Sequence, residues 1–228
     1  MKAYALLGGP KTEWPKDIEK KLRAAQNNGE LLIGVDRGCL LLEEMGLIPD
    51  LAVGDFDSLR NTELAQVEKQ IPDIRYSLPE KDFTDSELMV RYAFKEYRVE
   101  TLTLYGATGG RLDHLLINLL LAVDPEVRPY AERLRIIDQQ NFLTFYDAGK
   151  HKIIKREPFN YFGFASLTAV KNLNLSKAKY NLADYSKDYP FSFSSNEFLP
   201  GCDYFELDVE KGLVAVVQCK DIDRYQKV

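Results

Sequence analysis

The chain has 228 residues, 45% of them hydrophobic and 29% charged, with a formal net charge of -5 at neutral pH. That length buries one large core or two smaller ones, and the acidic balance excludes a protein that lives by nonspecific binding to nucleic acid or anionic lipid, which needs surplus Lys and Arg. Three widely spaced cysteines, Cys39, Cys202 and Cys219, indicate neither a disulfide framework nor a zinc site, and read as free thiols in a reducing compartment.

The first expected strand, Ala3 to Leu7, is broken by Gly8-Gly9-Pro10 and followed by a helix from Asp17 to Gln26. Leu31 to Val35 is a second buried strand that ends at Asp36. A short helix from Gly38 through Met45 precedes the third strand, Leu51 to Val53. That strand ends in Gly54-Asp55-Phe56-Asp57-Ser58. Two carboxylates one residue apart are either turn residues that bond their own backbone or a pair facing a hard, oxygen-seeking ion such as Mg2+.

A helix over 62 to 70 and a strand from Ile74 to Leu78 come next. Thr84-Asp85-Ser86-Glu87 then has the form of a capping box, which puts Asp85 in the first turn of a helix. A strand from Thr101 to Tyr105 is broken by Gly106-Ala107-Thr108-Gly109-Gly110, and an apolar helix runs from Leu112 to Val123 with Asp113 near its start. Asn118 interrupts its apolar run, which falls short of the ~20 residues of a membrane helix. The residues before Gly8 are likewise too few for the apolar core of a secretion signal, so a cytoplasmic protein without a membrane or nucleic-acid partner is expected.

Repeated strand-turn-helix units of this spacing predict an α/β domain with a mainly parallel sheet over residues 1–140. The pattern then changes to short aromatic and β-branched strands, over 142–146, 152–155, 161–167, 178–182, 191–194, 204–209 and 213–219. They predict an all-β antiparallel sandwich over 141–228. In the first domain Asp36, Asp55, Asp85, Arg111 and Asp113 all follow strands or open the next helix, the edge where open α/β sheets bind ligands.

No P-loop and no G-x-S-x-G is present, and two histidines exclude a histidine-rich metal centre. What remains is carboxylate chemistry with a few cations: Asp36, Asp55, Asp57, Asp82, Asp85 and Asp113 against Arg37, Lys81 and Arg111. Such a set suits magnesium-dependent transfer from a nucleotide. Each member has a plainer reading. Asp85 and Asp113 would complement helix dipoles, Arg111 would be a surface charge, His114 a structural residue, and Cys39 core packing.

Asp36-Arg37-Gly38, Pro49-Asp50, Gly54-Asp55-Phe56-Asp57-Ser58, Lys81-Asp82-Phe83-Thr84-Asp85-Ser86-Glu87 and Gly106 to His114, in this order and spacing, resemble the thiamine pyrophosphokinase family. Ser195-Asn196-Glu197 extends the resemblance into the C-terminal part. It implies Mg2+-dependent transfer of a pyrophosphoryl group from ATP to thiamine, releasing AMP, by a homodimer with sites in clefts between subunits. It further implies that Asp55, Asp57 and Asp85 hold the metal, with Asp36 nearby. Arg111 would neutralise phosphate and Asp113 orient substrate, while Lys81, Thr84 and His114, with Tyr180, Ser195 and Asn196, would bind the co-substrates. The second domain would bind thiamine and dimerise. Tyr180, where some members have Trp, competes with Phe198 and Tyr189 as the ring stacked on thiamine, and Cys39 stands where many relatives have a smaller residue. Two alternatives stay open at this point: a phosphatase-like use of the Asp55-x-Asp57 loop, and a nucleotide- or thiamine-binding module without turnover.

Overall fold

A computed structural model describes residues 1–57, 59–77 and 83–221, so Ser58, Lys81 and Asp82 lie outside the described residues. The chain forms two compact units. One comprises Met1–Leu121 with Ile137–Gln139, the other Ala122–Ile136 with Gln140–Val228. This differs from a single cut at residue 140, because 122–136 cluster with the second unit.

In the first unit, β1 (Lys2–Leu6), α1 (Ile18–Asn27), β2 (Leu31–Val35), α2 (Gly38–Glu44), β3 (Leu51–Gly54), α3 (Asn61–Gln70), β4 (Asp73–Tyr76), α4 (Asp85–Arg91), β5 (Thr101–Tyr105) and α5 (Leu112–Leu120) alternate along the chain. The strands lie in the order β5-β1-β2-β3-β4, and every neighbouring pair is parallel. Continuous apolar sequence is what such strands need, since helices cover both faces; β2 and β3 are buried at every residue. Leu6, Leu32 and Tyr105 pack with Trp14, Ile18 and Leu42 in one cluster. Ala52 and Phe56 pack with Cys39 and Val67 in another. Burial pushes the Cys39 thiol up to about 12, which makes it a packing group. The helix expected over Leu112–Val123 is α-helical only to Leu120, with a 3-10 turn over Leu121–Val123.

The second unit is a sandwich. After β6 (Leu134–Ile137) come β7 (Asn141–Tyr146), β8 (Gly149–Ile154), β9 (Tyr161–Ser166), β10 (Val170–Ser176), β11 (Leu182–Lys187), β12 (Ser192–Glu197), β13 (Tyr204–Lys211) and β14 (Val214–Cys219). One layer runs β12-β9-β14-β7-β6 and the other β11-β10-β13-β8. Alternate residues of β9 and β13 point inward, and Phe162 stacks on Phe205 with ring centroids 4.0 Å apart. The strand expected over 178–182 is corrected. The chain turns there, with Lys177 at φ 60° and the Asn181 side chain accepting from Ala178 N at 3.2 Å, and only Ala178 bridges to Phe198. The strand in this region is β10, whose alternation is broken by Asn172 at φ 47°.

Candidate active site

Because β2 and β5 flank β1 on opposite sides, the order of strand addition reverses beside β1, and a crevice opens at the carboxyl ends of β1 and β5. Leu7 N donates to Tyr105 O and Gly9 N to Gly106 O, each at 2.9 Å, so the turns after β1 and β5 run side by side. A Cβ on Gly9 would strike the carbonyls of Gly106 and Thr108; the glycine is there because two backbones touch. The resulting cleft has a volume of about 550 Å³ and is lined entirely by the first unit.

Asp36, Arg37, Asp57, Thr84, Asp85, Arg111 and His114 line it. The capping box is formed: Thr84 N donates to Glu87 Oε2 at 2.7 Å, which fixes Asp85 as the first residue of α4. Asp36 sits at φ 47° and Phe56 at φ 56°, left-handed conformations that bulky residues rarely adopt. Phe56 is 2% exposed while Asp55 and Asp57 on either side are exposed, so the buried ring pins the turn and turns both carboxylates outward. Asp55 Oδ1 accepts from Asp57 N at 3.0 Å, which is the local turn bond, and Asp36 Oδ1 makes a long 3.5 Å contact with Phe56 N. Gly54 leaves the space that the Asp36 carboxylate occupies; a Cβ there would collide with it.

The donor set is anionic. Burial first, then the charge of Asp85 and of Asp55, pushes the Asp36 carboxyl up to about 7. Carboxylates crowded this way favour a hard cation. Among the described residues no three His, Cys, Asp or Glu side chains converge as a complete metal cage. Mg2+ that shares its coordination with phosphate oxygens and water takes only one or two carboxylates from protein, and the residues fit that mode.

Arg111 forms a bidentate pair with Asp113, Nε to Oδ1 at 3.1 Å and Nη2 to Oδ2 at 2.5 Å, and these bonds hold the exposed Asp113 carboxyl down to about 2. Neither Asp55 nor Asp113 is part of the cleft lining, although each is joined to a residue that is.

Tyr180, Ser195 and Asn196 belong to the second unit. Asn196 is buried, accepts from Tyr180 N at 3.1 Å and donates to Tyr180 O at 2.8 Å, so it clamps the Tyr180 backbone while the ring stays 58% exposed. Ser195 is left-handed at φ 60°. Phe198 is half-buried and packs against the sandwich core on Phe162 and Phe205, whereas Tyr189 is exposed. Sequence reasoning treated Gly8-Gly9 only as a break and Asn118 only as an interruption. The signal for the first was a glycine pair directly after β1.

The chain matches the family models described as "Thiamin pyrophosphokinase, catalytic domain" over residues 22–137 and "Thiamin pyrophosphokinase, vitamin B1 binding domain" over residues 150–214. It is 34% identical over 172 residues to the thiamine pyrophosphokinase of Bacillus subtilis (strain 168), covering 74% of this chain and 78% of that protein. The crystal structure of a thiamin pyrophosphokinase family protein from Enterococcus faecalis superimposes with a TM-score of 0.87 at 34% identity, over 97% of this chain and 100% of that one. That of the thiamine pyrophosphokinase from Bacillus subtilis gives 0.81 at 29% identity, also over 97% and 100%.

Proposed function

The chain belongs to the thiamine pyrophosphokinase family, and from that premise we infer that it transfers the pyrophosphoryl group of ATP to the hydroxyl of thiamine, giving thiamine diphosphate and AMP. The observation that carries the reading is the acid-lined cleft beside β1, with Asp36, Asp57 and Asp85 on its wall together with Arg37 and Arg111. A phosphatase-like covalent use of Asp55 is not favoured, since the Asp-x-Asp turn follows β3 and not the first strand.

In this reading Asp57 and Asp85 would hold Mg2+, with Asp55 behind them accepting from the Asp57 backbone. When bound, the metal would neutralise phosphate oxygens and help align the transferring group. Arg111 exchanges its bond to Asp113 for phosphate oxygens, leaving the Asp113 carboxylate to orient the thiamine hydroxyl. That oxygen attacks the β-phosphorus, the bond from the β-phosphorus to the bridging oxygen breaks, and AMP leaves with the electron pair. The hydroxyl proton is released. Positioning and charge neutralisation do most of the work in such transfers. Lys81 is assigned to phosphate as well, and Thr84 and His114 to the nucleotide.

Thiamine is assigned to the second unit. The exposed Tyr180 ring, its backbone held by Asn196, offers a platform for a pyrimidine, and Ser195 stands beside Asn196. A homodimer is supported by an exposed apolar row at helical spacing on α5, where Leu112 is 74%, Leu116 57% and Leu120 51% exposed. A cytoplasmic setting is supported by the three free cysteines. Among the described residues no helix is long and apolar enough to cross a membrane. The test is incubation with ATP, Mg2+ and thiamine: AMP and thiamine diphosphate form in equal amounts, whereas ADP with thiamine monophosphate, or no product, would overturn the assignment.

A further inference from the structure

Asn118 lies in the last turn of α5, 3% exposed, and lines the cleft. Its Nδ2 donates to Ala107 O at 2.9 Å. Only the NH2 end of a carboxamide bonds a carbonyl in this way, so the bond fixes which end is the oxygen. Oδ1 is then a buried acceptor without a hydrogen-bond partner among the described residues. Buried polar atoms are nearly always paired, and an exception calls for a ligand or a function.

Of the residues that line the cleft, Asp36, Asp57 and Asp85 are suited to a metal-phosphate group, while Leu115 and Ile117, on the same helix as Asn118, supply apolar wall. The triphosphate carries no donor for a lone acceptor, and an apolar wall suits a purine. We propose that Asn118 is a specificity-determining residue whose Oδ1 accepts a hydrogen bond from the exocyclic 6-amino group of adenine, selecting a 6-amino over a 6-oxo purine nucleotide. A 6-oxo purine would present an acceptor to an acceptor and leave both unpaired.

The inference rests on the ATP reading above, and the experiment separates the two. Wild-type enzyme is first assayed with ATP and thiamine; absence of AMP would defeat that reading and leave no base to select. KM is then measured for ATP, for purine riboside triphosphate, which lacks the 6-amino group, and for inosine triphosphate. In the wild type both analogues raise KM by about tenfold or more, and in Asn118→Leu the ratio of analogue KM to ATP KM falls towards one. Asn118→Asp keeps the acceptor and retains the ratio while losing the bond to Ala107. A purely structural Asn118 would alter activity with all three nucleotides alike and leave the ratio unchanged, which overturns the proposal. So does a wild type that uses ATP and the 6-unsubstituted analogue equally, a result that needs no folded variant. A penalty confined to 2′- or 3′-deoxy-ATP, relieved in Asn118→Leu, would assign the oxygen to the ribose and overturn the base-reading role.

Discussion

The ring of Phe56 meets that of Tyr76 edge-on, with centroids 5.5 Å apart and planes at 78°, and this contact anchors the turn that carries Asp55 and Asp57. Phe56 pays for its left-handed backbone with this burial. Phe56→Ala is expected to lower stability by about 3–5 kcal/mol, the usual cost of emptying a buried aromatic site, and to raise the Mg2+ concentration needed for activity. Denaturant midpoints and a metal titration measure the two effects. A variant as stable as the wild type would show that the ring does not anchor the turn.

Asp57 is exposed and joined to the fold chiefly through its backbone. Asp57→Asn therefore keeps the melting temperature, as surface changes do, while kcat falls by about 10²-fold or more, the scale of losing one preorganised charge in a phosphoryl-transfer site. Turnover near the wild-type level would remove Asp57 from the metal set.

Replacing the exposed Tyr180 ring by Ala should raise the KM for thiamine by about tenfold and leave the KM for ATP unchanged, because stacking contributes to binding and not to charge stabilisation. An unaltered thiamine KM would move the platform elsewhere.

Leu116→Glu places a charge in the exposed row on α5. Sedimentation at micromolar concentration should change from a dimer to a monomer, since the charge would have to be buried unpaired in the interface. A dimer that persists locates the contact on another face.

Asp147 accepts from Arg128 Nη2 at 2.9 Å and from Nε at 3.1 Å, and these bonds hold its carboxyl below the usual carboxylate range. The folded pKa lies below the unfolded one, so the contribution is complete above about pH 4 and is lost as pH falls through the folded value. Both side chains are about a third exposed, at 35% and 38%, so solvent screening limits the effect to under about 1 kcal/mol. Asp147→Asn should be slightly less stable than the wild type at pH 7, and the difference should close as pH falls through the folded value.

The first unit was readable because β2 and β3 are buried throughout and appear as uninterrupted apolar runs, as in Leu31 to Val35, and because polar residues that end such runs fall on one edge. The sandwich was harder. Asn172 and Asn174 hide the inward Val170, Leu173 and Leu175, while the apolar residues of 178–182 belong to a turn set by Lys177 and Asn181. In the site, the acids were visible as a pattern. Asn118 was not, since one polar residue inside an apolar helix has no local signature, and its meaning depends on Ala107 O eleven residues earlier in sequence. The closeness of Asp36 to Asp85 comes from the packing of α4 against the sheet and could not be read from either stretch alone.

In the second unit β14, the last strand among the described residues, pairs with β7 on one side and β9 on the other. During vectorial synthesis the first unit has its final residues by Gln139 and is free to close while translation continues. The sandwich has no such freedom, because β7 and β9 share no hydrogen-bonded neighbour until Val214–Cys219 leaves the ribosome. A premature stop before Val214 would therefore not trim an edge; it would remove the middle of a sheet and leave two unpaired strand edges open to aggregation.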